Sequence, residues 1–124
     1  MTSPDIPSVS IDAVPAQFDD AQPRAATGAV PGVLLDVRED DEWQLGHAPG
    51  AIHIPMVDVP ARIDELDYDT QIYVVCRQGG RSIQVVKYLE HVGFEAVNVA
   101  GGMVAWQQAG RPLAAAGDHQ AKIY

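Results

Sequence analysis

The segment "QIYVVCRQGGRSIQVVKYLEHVG", residues 71–93, predicts the fold class of this 124-residue chain. It opens with the apolar run "IYVV", which is typical of a strand buried on both faces of a parallel sheet. Its last part places Val85, Val86 and Leu89 on one helical face and ends at Gly93, a residue type that commonly stops a helix. A buried strand followed by a short loop and an amphipathic helix is the repeating unit of an α/β domain.

The same alternation extends on both sides of this segment. Further strands are predicted at "VSIDAV" (9–14), "GVLLDV" (32–37) and "AVNVA" (96–100). The segment "HAPGAIHIPM" (47–56) is predicted to turn through Pro49 and Gly50 into a short strand. Helical segments are predicted at "PAQFDDAQ" (15–22), "REDDEWQLG" (38–46), "DVPARIDEL" (58–66) and "GGMVAWQQAG" (101–110). Strands that alternate with helices predict a mostly parallel sheet with helices on both of its faces.

Length and composition fit one globular domain, because 124 residues with 47% apolar and 20% charged residues can bury a single core. We expect a loose leader at residues 1–8, the domain at 9–113 and a weakly structured tail at 114–124. The apolar runs are far shorter than the roughly 20 residues that cross a bilayer, and the first residues do not resemble a secretion signal. We therefore expect a cytoplasmic protein.

The charge is strongly acidic and unevenly distributed. A formal net charge of -9 argues against a nucleic acid or an anionic membrane as partner, because both would be repelled. Up to Val75 there are fourteen acidic and three basic residues, whereas from Cys76 onward there are three acidic and five basic residues. Because Arg77, Arg81 and Lys87 follow the cysteine closely, this region is a candidate site for a small anion.

Cys76 is the single cysteine of the chain, which excludes an internal disulfide, a two-cysteine redox pair and a cysteine-rich zinc site. A cysteine after an apolar run can be a core residue. Here, however, it ends a predicted parallel strand, where ligands gather in such sheets. Gly79 and Gly80 allow backbone N–H groups to point inward and to join those of the helix that begins near Arg81 and Ser82. Such a loop favours a thiolate, and hence a nucleophile.

Three separated motifs resemble those of single-domain rhodaneses, which are thiosulfate or persulfide sulfurtransferases. The first is "LLDVREDDEWQLGHAPGAIHIP", similar to D-V-R, then E, then G-H-I-P-G-A, with Ala48 in place of the commoner Ile. The second is "CRQGGRS", which resembles C-x-x-G-x-R-S, and the third is "GGMVAWQQAGRP", which resembles G-G-x-x-A-W-x-x-x-G-x-P. Together they cover roughly residues 33–112, in the order and spacing of that family.

The resemblance implies a central, mainly parallel five-stranded sheet flanked by helices on both faces. It also implies that Cys76 carries a sulfane sulfur as a persulfide, taken from thiosulfate or a related donor and passed to cyanide, a small thiol or a protein thiol. The predicted cradle for the substrate is the loop formed by Arg77, Gln78, Gly79, Gly80, Arg81 and Ser82. No metal or organic cofactor is expected, and the histidines show no metal-ligand spacing.

Several residues have more than one possible role. Arg77 and Arg81 are assigned to anion binding, although Arg81 could instead brace the loop through a carboxylate. Asp36 and Arg38 are expected to be structural, with Arg38 forming a helix-spaced ion pair with Glu42. We expect His47 to fix its turn by hydrogen bonding. Trp43 and Trp106 are expected to pack against the sheet.

Two other classes of protein compete with a sulfurtransferase. Dual-specificity-type phosphatases and arsenate reductases also use a cysteine followed by an arginine, but those phosphatases resemble C-x-x-x-x-x-R. Here only four residues separate Cys76 from Arg81, which predicts a tighter loop. A regulatory or binding module of the same fold would commonly lack the nucleophile that this chain has. A carrier that passes its persulfide to one particular protein is a third possibility.

Overall fold

The computed structural model describes residues 6–16, 18, 32–115 and 120–123. Its centre is a five-stranded sheet in which every strand pairs in parallel, in the order β1-β5-β4-β2-β3. The strands are β1 (Ser8–Val9), β2 (Gly32–Asp36), β3 (Ile52–His53), β4 (Gln71–Val75) and β5 (Ala96–Val99). The predicted sheet is therefore confirmed, and it is parallel throughout.

Helices cover the sheet on both faces, as the sequence predicts. The α-helices are α1 (Asp40–Leu45), α2 (Gly80–His91) and α3 (Gly102–Gln108). The part of the chain that the structure describes also has 3₁₀ helices at Ile11–Ala13, Met56–Asp58 and Pro60–Glu65. None of the helices within the described residues is long and apolar enough to span a membrane.

Adjacent residues of β2 point to opposite faces and belong to two separate hydrophobic clusters. Leu35 packs in the cluster that contains α2, through Val86 and Leu89. Leu34 packs in the cluster that contains α3, through Met103 and Trp106. This alternation follows from the two-residue period of a strand and explains why the apolar run of β2 is nearly continuous. The central strands are thus buried from both sides.

Two segments differ from their predicted structure. The segment 9–14 forms a strand only as far as Val9 and then a 3₁₀ turn, because its partner β5 ends at Val99 and offers no further pairing. The segment 58–66 is 3₁₀ helix rather than α-helix. The chain kinks at Arg62, whose φ of -116° and ψ of 21° are not helical, and the observed bonds join residues three apart, such as Arg62 N to Val59 O at 3.1 Å.

The predicted domain limits at residues 9 and 113 stay predictions. Backbone hydrogen bonding to the rest of the fold is present next to each limit. Ser8 pairs with Asn98, and the backbones of His47 and Ala114 exchange two hydrogen bonds of 2.9 and 2.8 Å. Lys122 N also donates to Leu45 O at 3.0 Å. The short helix predicted at 15–22 lies largely outside the described residues.

A buried ion pair fixes the end of β2. The Arg38 guanidinium donates to both carboxylate oxygens of Asp36, with Nη2 to Oδ2 at 2.7 Å, and both side chains are essentially inaccessible to solvent. Arg38 also donates to the backbone oxygens of Gly46 and Glu42, at 2.7 and 3.4 Å. The expected side-chain ion pair of Arg38 with Glu42 is therefore wrong, because Asp36 and these carbonyl groups take up the guanidinium.

Replacement of Asp36 should strongly destabilise the protein. Asp36→Ala leaves the Arg38 charge buried without its carboxylate, which typically costs about 3–5 kcal/mol in the free energy of unfolding. Chemical denaturation followed by circular dichroism measures this loss. Glu65→Ala, which breaks an exposed ion pair with Arg62, is the matched control and should have a much smaller effect. Equal losses for the two variants would contradict a special role for the buried pair.

Candidate active site

Cys76 follows β4 at the edge of the sheet where the parallel strands end. The register places the ends of β2 and β4 side by side, with Asp36 opposite Val75. After Cys76 the backbone bends through residues 77–79, and α2 begins at Gly80. The first N–H groups of a helix have no intrahelical acceptor, so those of α2 are available at this end of the loop. The predicted strand, loop and helix are all present.

The Cys76 thiol lies at the base of the loop and is almost fully buried, with 1% of the residue exposed. It packs within the hydrophobic cluster on the α2 face of the sheet. Its sulfur lies 3.3 Å from Oγ of Ser82, which is fully buried. Its position shields the sulfur from bulk solvent.

The start of α3 is hydrogen-bonded to the backbone of the loop. The N–H groups of Met103 and Val104 donate to the backbone oxygens of Cys76 and Arg77, at 2.8 and 3.0 Å. Gly102 has a φ of 57°, and a Cβ atom there would overlap both of those oxygens. Gly101 and Gly102 thus make a tight turn that brings α3 against the backbone of Cys76.

A line of polar side chains leads from the sulfur across the sheet edge. Ser82 Oγ donates to Asn98 Oδ1 at 2.6 Å, and Asn98 Nδ2 donates to Ser8 Oγ at 3.2 Å. Asn98 is 4% exposed and lies on β5. Asn98 was not among the site residues predicted from the sequence. The feature that could have indicated it is a single amide side chain within the otherwise apolar strand "AVNVA", because a buried polar group needs a hydrogen-bond partner.

Arg81 binds a carboxylate of α1. Its two terminal nitrogens donate to the two carboxylate oxygens of Glu42, at 2.6 and 3.0 Å. The hydrogen bond from Arg81 is the main reason why the pKa of Glu42 lies below its usual value, with a smaller lowering by the Glu39 N–H, while burial acts in the opposite direction. Glu42 in turn raises the pKa of Arg81. This contact corresponds to the bracing role of Arg81, the second of the two considered from the sequence.

Arg77 and Gln78 lie at the exposed mouth of the loop, where Arg77 Nη1 donates to Gln78 Oε1 at 3.1 Å. The six predicted cradle residues follow Cys76 directly in the chain. They differ in burial, from exposed Arg77 to buried Ser82. Within the described residues, there is no group of three His, Cys, Asp or Glu side chains that could hold a metal ion.

The two tryptophans have different surroundings. Trp106 is buried in the cluster on the α3 face, as expected, and its Nε1 donates to Pro112 O at 2.7 Å. Trp43 stacks against the rings of His47 and of His53, a residue of β3, at centroid distances of 3.7 and 4.6 Å. His47 Nδ1 lies 2.7 Å from Trp43 O, so His47 contacts the end of α1 and fixes the turn that follows it.

Comparison with known proteins gives consistent matches. Residues 16–109 match the family described as Rhodanese-like domain. YtwF of Bacillus subtilis is 48% identical over 79 residues, which cover 64% of this chain and 77% of that protein. A protein of Allochromatium vinosum named sulfurtransferase is 37% identical over 84 residues, which cover 67% of this chain and 78% of that protein.

Solved structures agree with these matches. A rhodanese-like domain protein from Staphylococcus aureus superposes with a TM-score of 0.68 and 33% identity, over 96% of this chain and 99% of that one. A protein from Pseudomonas aeruginosa named thiosulfate sulfurtransferase superposes with a TM-score of 0.69 and 27% identity. The match covers 94% of this chain and 21% of the longer Pseudomonas chain.

The ion pair of Glu42 and Arg81 should stabilise the protein in a pH-dependent way. Because the pKa of Glu42 is lowered in the folded state, its stabilisation is present above the unfolded pKa, near 4.3, and is lost as the pH falls through the folded pKa. We expect Glu42→Gln to lower the free energy of unfolding by about 1 kcal/mol at pH 7.

The difference between Glu42→Gln and the unaltered protein should shrink as the pH falls below 4, as measured by urea denaturation at several pH values. Glu90→Gln, an exposed position on α2, is the control for loss of one negative charge. A difference that stays constant from pH 7 to pH 3 would contradict the stabilising ion pair.

Proposed function

The chain belongs to the rhodanese-like domain family, and on that premise we propose that it is a sulfurtransferase in which Cys76 carries the transferred sulfur as a persulfide. The observation that carries the proposal is the position of Cys76. The thiol lies at the base of a strand-loop-helix turn, at the carboxyl edge of a parallel sheet, with a hydroxyl group 3.3 Å from the sulfur. Nucleophiles and bound anions are both favoured at such a place.

In the first half-reaction, the thiolate of Cys76 attacks the outer sulfur of thiosulfate. A new S–S bond forms, the S–S bond of thiosulfate breaks, and sulfite leaves with the electron pair of that bond. Cys76 is left as Cys–S–S⁻. The N–H groups in the first turn of α2 and its positive dipole end can stabilise the negative charge on the outer sulfur.

In the second half-reaction, an acceptor attacks the outer sulfur and releases the Cys76 thiolate. Because the chain has one cysteine, no second thiol within it can resolve the persulfide, and the acceptor must come from outside. Burial of Cys76 limits the contact of the persulfide with bulk water. We propose cyanide, a small thiol or a protein thiol as acceptor.

Thiosulfate is our proposed donor because it is a small dianion and the loop mouth carries Arg77 in an otherwise acidic chain. The likeness to the Pseudomonas protein named thiosulfate sulfurtransferase supports the same choice. We assign anion binding to Arg77 and to the loop backbone. Arg81 acts chiefly as a brace through Glu42, whose hydrogen bond is the main cause of the raised pKa of Arg81, with a smaller contribution from Cys76.

Neither rival class is favoured. A phosphatase would need Arg81 to bind the phosphoryl group, but its guanidinium is taken up in two hydrogen bonds to Glu42. A module that only binds would not need a thiol at the base of the loop, and a relative of the chain is named sulfurtransferase. The related possibility of a carrier that serves one particular protein concerns the acceptor and leaves the first half-reaction unchanged.

Incubation with thiosulfate should add the mass of one sulfur atom to the protein, as read by intact-mass spectrometry. Subsequent addition of cyanide should remove that mass and produce thiocyanate, which a colorimetric assay measures. Cys76→Ser should show neither change, because its hydroxyl cannot form the persulfide. Turnover of a phosphate ester without sulfur loading would favour the phosphatase, and loading that persists in Cys76→Ser would exclude Cys76 as the carrier.

Replacement of Arg77 should weaken thiosulfate binding. We expect Arg77→Ala to raise the KM for thiosulfate about tenfold, the loss expected for one charge-assisted hydrogen bond, with a smaller change in kcat. Lys87→Ala is the matched control, because it removes the same charge from an exposed position further along α2. An unchanged KM in Arg77→Ala, or equal increases in the two variants, would remove Arg77 from the binding site.

A further inference from the structure

We propose that Asn98 is a positioning residue that controls the ionisation of Cys76 through Ser82. The structure contains a continuous line of hydrogen bonds from the Cys76 sulfur through Ser82, Asn98 and Ser8. Asn98 does not touch the sulfur, so any influence on it must pass through the Ser82 hydroxyl. The inference concerns the protonation of the thiol, and only its consequence for sulfur transfer rests on the proposed function.

The direction of the hydrogen bonds is set by the short contact between Ser82 and Asn98. A separation of 2.6 Å is usual for an O–H···O hydrogen bond and short for an N–H···O one, so the amide oxygen of Asn98 faces Ser82. The amide nitrogen then faces Ser8 and donates to Ser8 Oγ at 3.2 Å, while Ser8 Oγ lies 3.4 Å from the backbone oxygen of Ile6. This places Nδ2 of Asn98 toward Ser8 and Oδ1 toward Ser82.

Ser82 has only one hydroxyl proton, and Asn98 competes for it. The hydroxyl donates to Asn98 Oδ1 at 2.6 Å, the shortest hydrogen bond in the line. Ser82 Oγ can then only accept in its contact with Cys76, so the sulfur must be the donor at 3.3 Å. This arrangement satisfies every group when Cys76 is a thiol.

Ionisation of Cys76 requires the hydroxyl of Ser82 to turn. The thiol proton passes to a water molecule or hydroxide ion that enters through the loop, and the electron pair stays on the sulfur. Ser82 can stabilise the thiolate only if it turns its proton from Asn98 to the sulfur. Oδ1 of Asn98, which is buried, then loses its donor, and an unsatisfied buried acceptor is unfavourable. Asn98 therefore makes ionisation of Cys76 to the thiolate less favourable.

Charged groups are carried by the loop, by α2 and by the elements that lie beside them. They are Arg77 in the loop, Arg81 and Lys87 on α2, Glu42 on α1, Asp58 at the end of the 3₁₀ helix that contacts α2, and the pair of Asp36 and Arg38 at the end of β2. Ser82 and Asn98 are uncharged, so their replacement leaves all these charges in place. A change in the ionisation of Cys76 after such a replacement would thus report on hydrogen bonding.

The experiment is a pH titration of the thiolate, followed by its ultraviolet absorbance. The absorbance of each variant is corrected by subtracting that of the same variant with Cys76→Ala, which removes the contribution of the tyrosines. The variants are Asn98→Leu, Ser82→Ala and the double variant. Val97→Ala, at the neighbouring residue of β5 whose side chain points to the opposite face, is the control and should titrate like the unaltered protein.

Asn98→Leu should move the midpoint to lower pH, with about threefold to tenfold more thiolate at a fixed pH, because the competing acceptor is removed. Ser82→Ala should move the midpoint to higher pH. The hydrogen bond that the Ser82 hydroxyl can donate to a thiolate is stronger than the one that it accepts from a thiol, so its loss disfavours the thiolate. The double variant should match Ser82→Ala alone, since Asn98 acts through Ser82. Additive shifts, or an unchanged or higher midpoint in Asn98→Leu, would overturn the proposal.

A measurement on the unaltered protein keeps the proposal testable if Asn98→Leu does not fold. Because the chain has one cysteine, its S–H stretching band in the infrared belongs to Cys76 alone. The band should lie at the lower frequency of a hydrogen-bonded thiol and return to that of a free thiol in Ser82→Ala. A free-thiol band in the unaltered protein would refute the assigned direction. Both readouts are independent of sulfur transfer, so failure of the proposed function would leave them unaffected.

Discussion

The buried ion pair of Asp36 and Arg38 is the interaction on which the site depends. Arg38 links the end of β2 to the carbonyl groups at the end of α1. That link holds α1 beside the sheet edge, and α1 supplies the Glu42 carboxylate that binds Arg81. Two successive charged contacts thus connect the sheet to the start of α2, although neither charged pair touches the Cys76 sulfur. The buried guanidinium is acceptable energetically because its neighbours satisfy it from several directions.

Cys76 belongs to the hydrophobic core and to the candidate site at once. It packs among the apolar side chains between the sheet and α2, yet its sulfur begins a line of polar groups. A low dielectric strengthens hydrogen bonds and also makes an unpaired group costly. The protonation of the sulfur is therefore expected to depend on where a single hydroxyl proton points. In the proposed arrangement, the hydrogen bond from Ser82 to Asn98 keeps that proton away from the sulfur.

Much of the fold could be predicted because its signals are local. The apolar run before Cys76, the amphipathic pattern after it and the glycines that end or begin helices predict a strand, a helix and their order. The two wrong assignments have structural causes that periodicity does not report. β1 stops where its partner β5 stops, and the segment that starts at Pro60 kinks at Arg62 and forms bonds between residues three apart.

The sequence by itself determined that this is a parallel α/β domain with one thiol at a sheet edge, and its motifs indicated the family. Only the tertiary structure decided which partners the polar side chains take. Glu42 was paired with Arg38 from their helical spacing, but its carboxylate binds Arg81, 39 residues further along the chain. Asn98 could not be assigned to the site because its contact with Ser82 joins two different elements. Spacing along one helix or strand predicts which residues share a face, whereas the choice among distant partners depends on how separate elements pack.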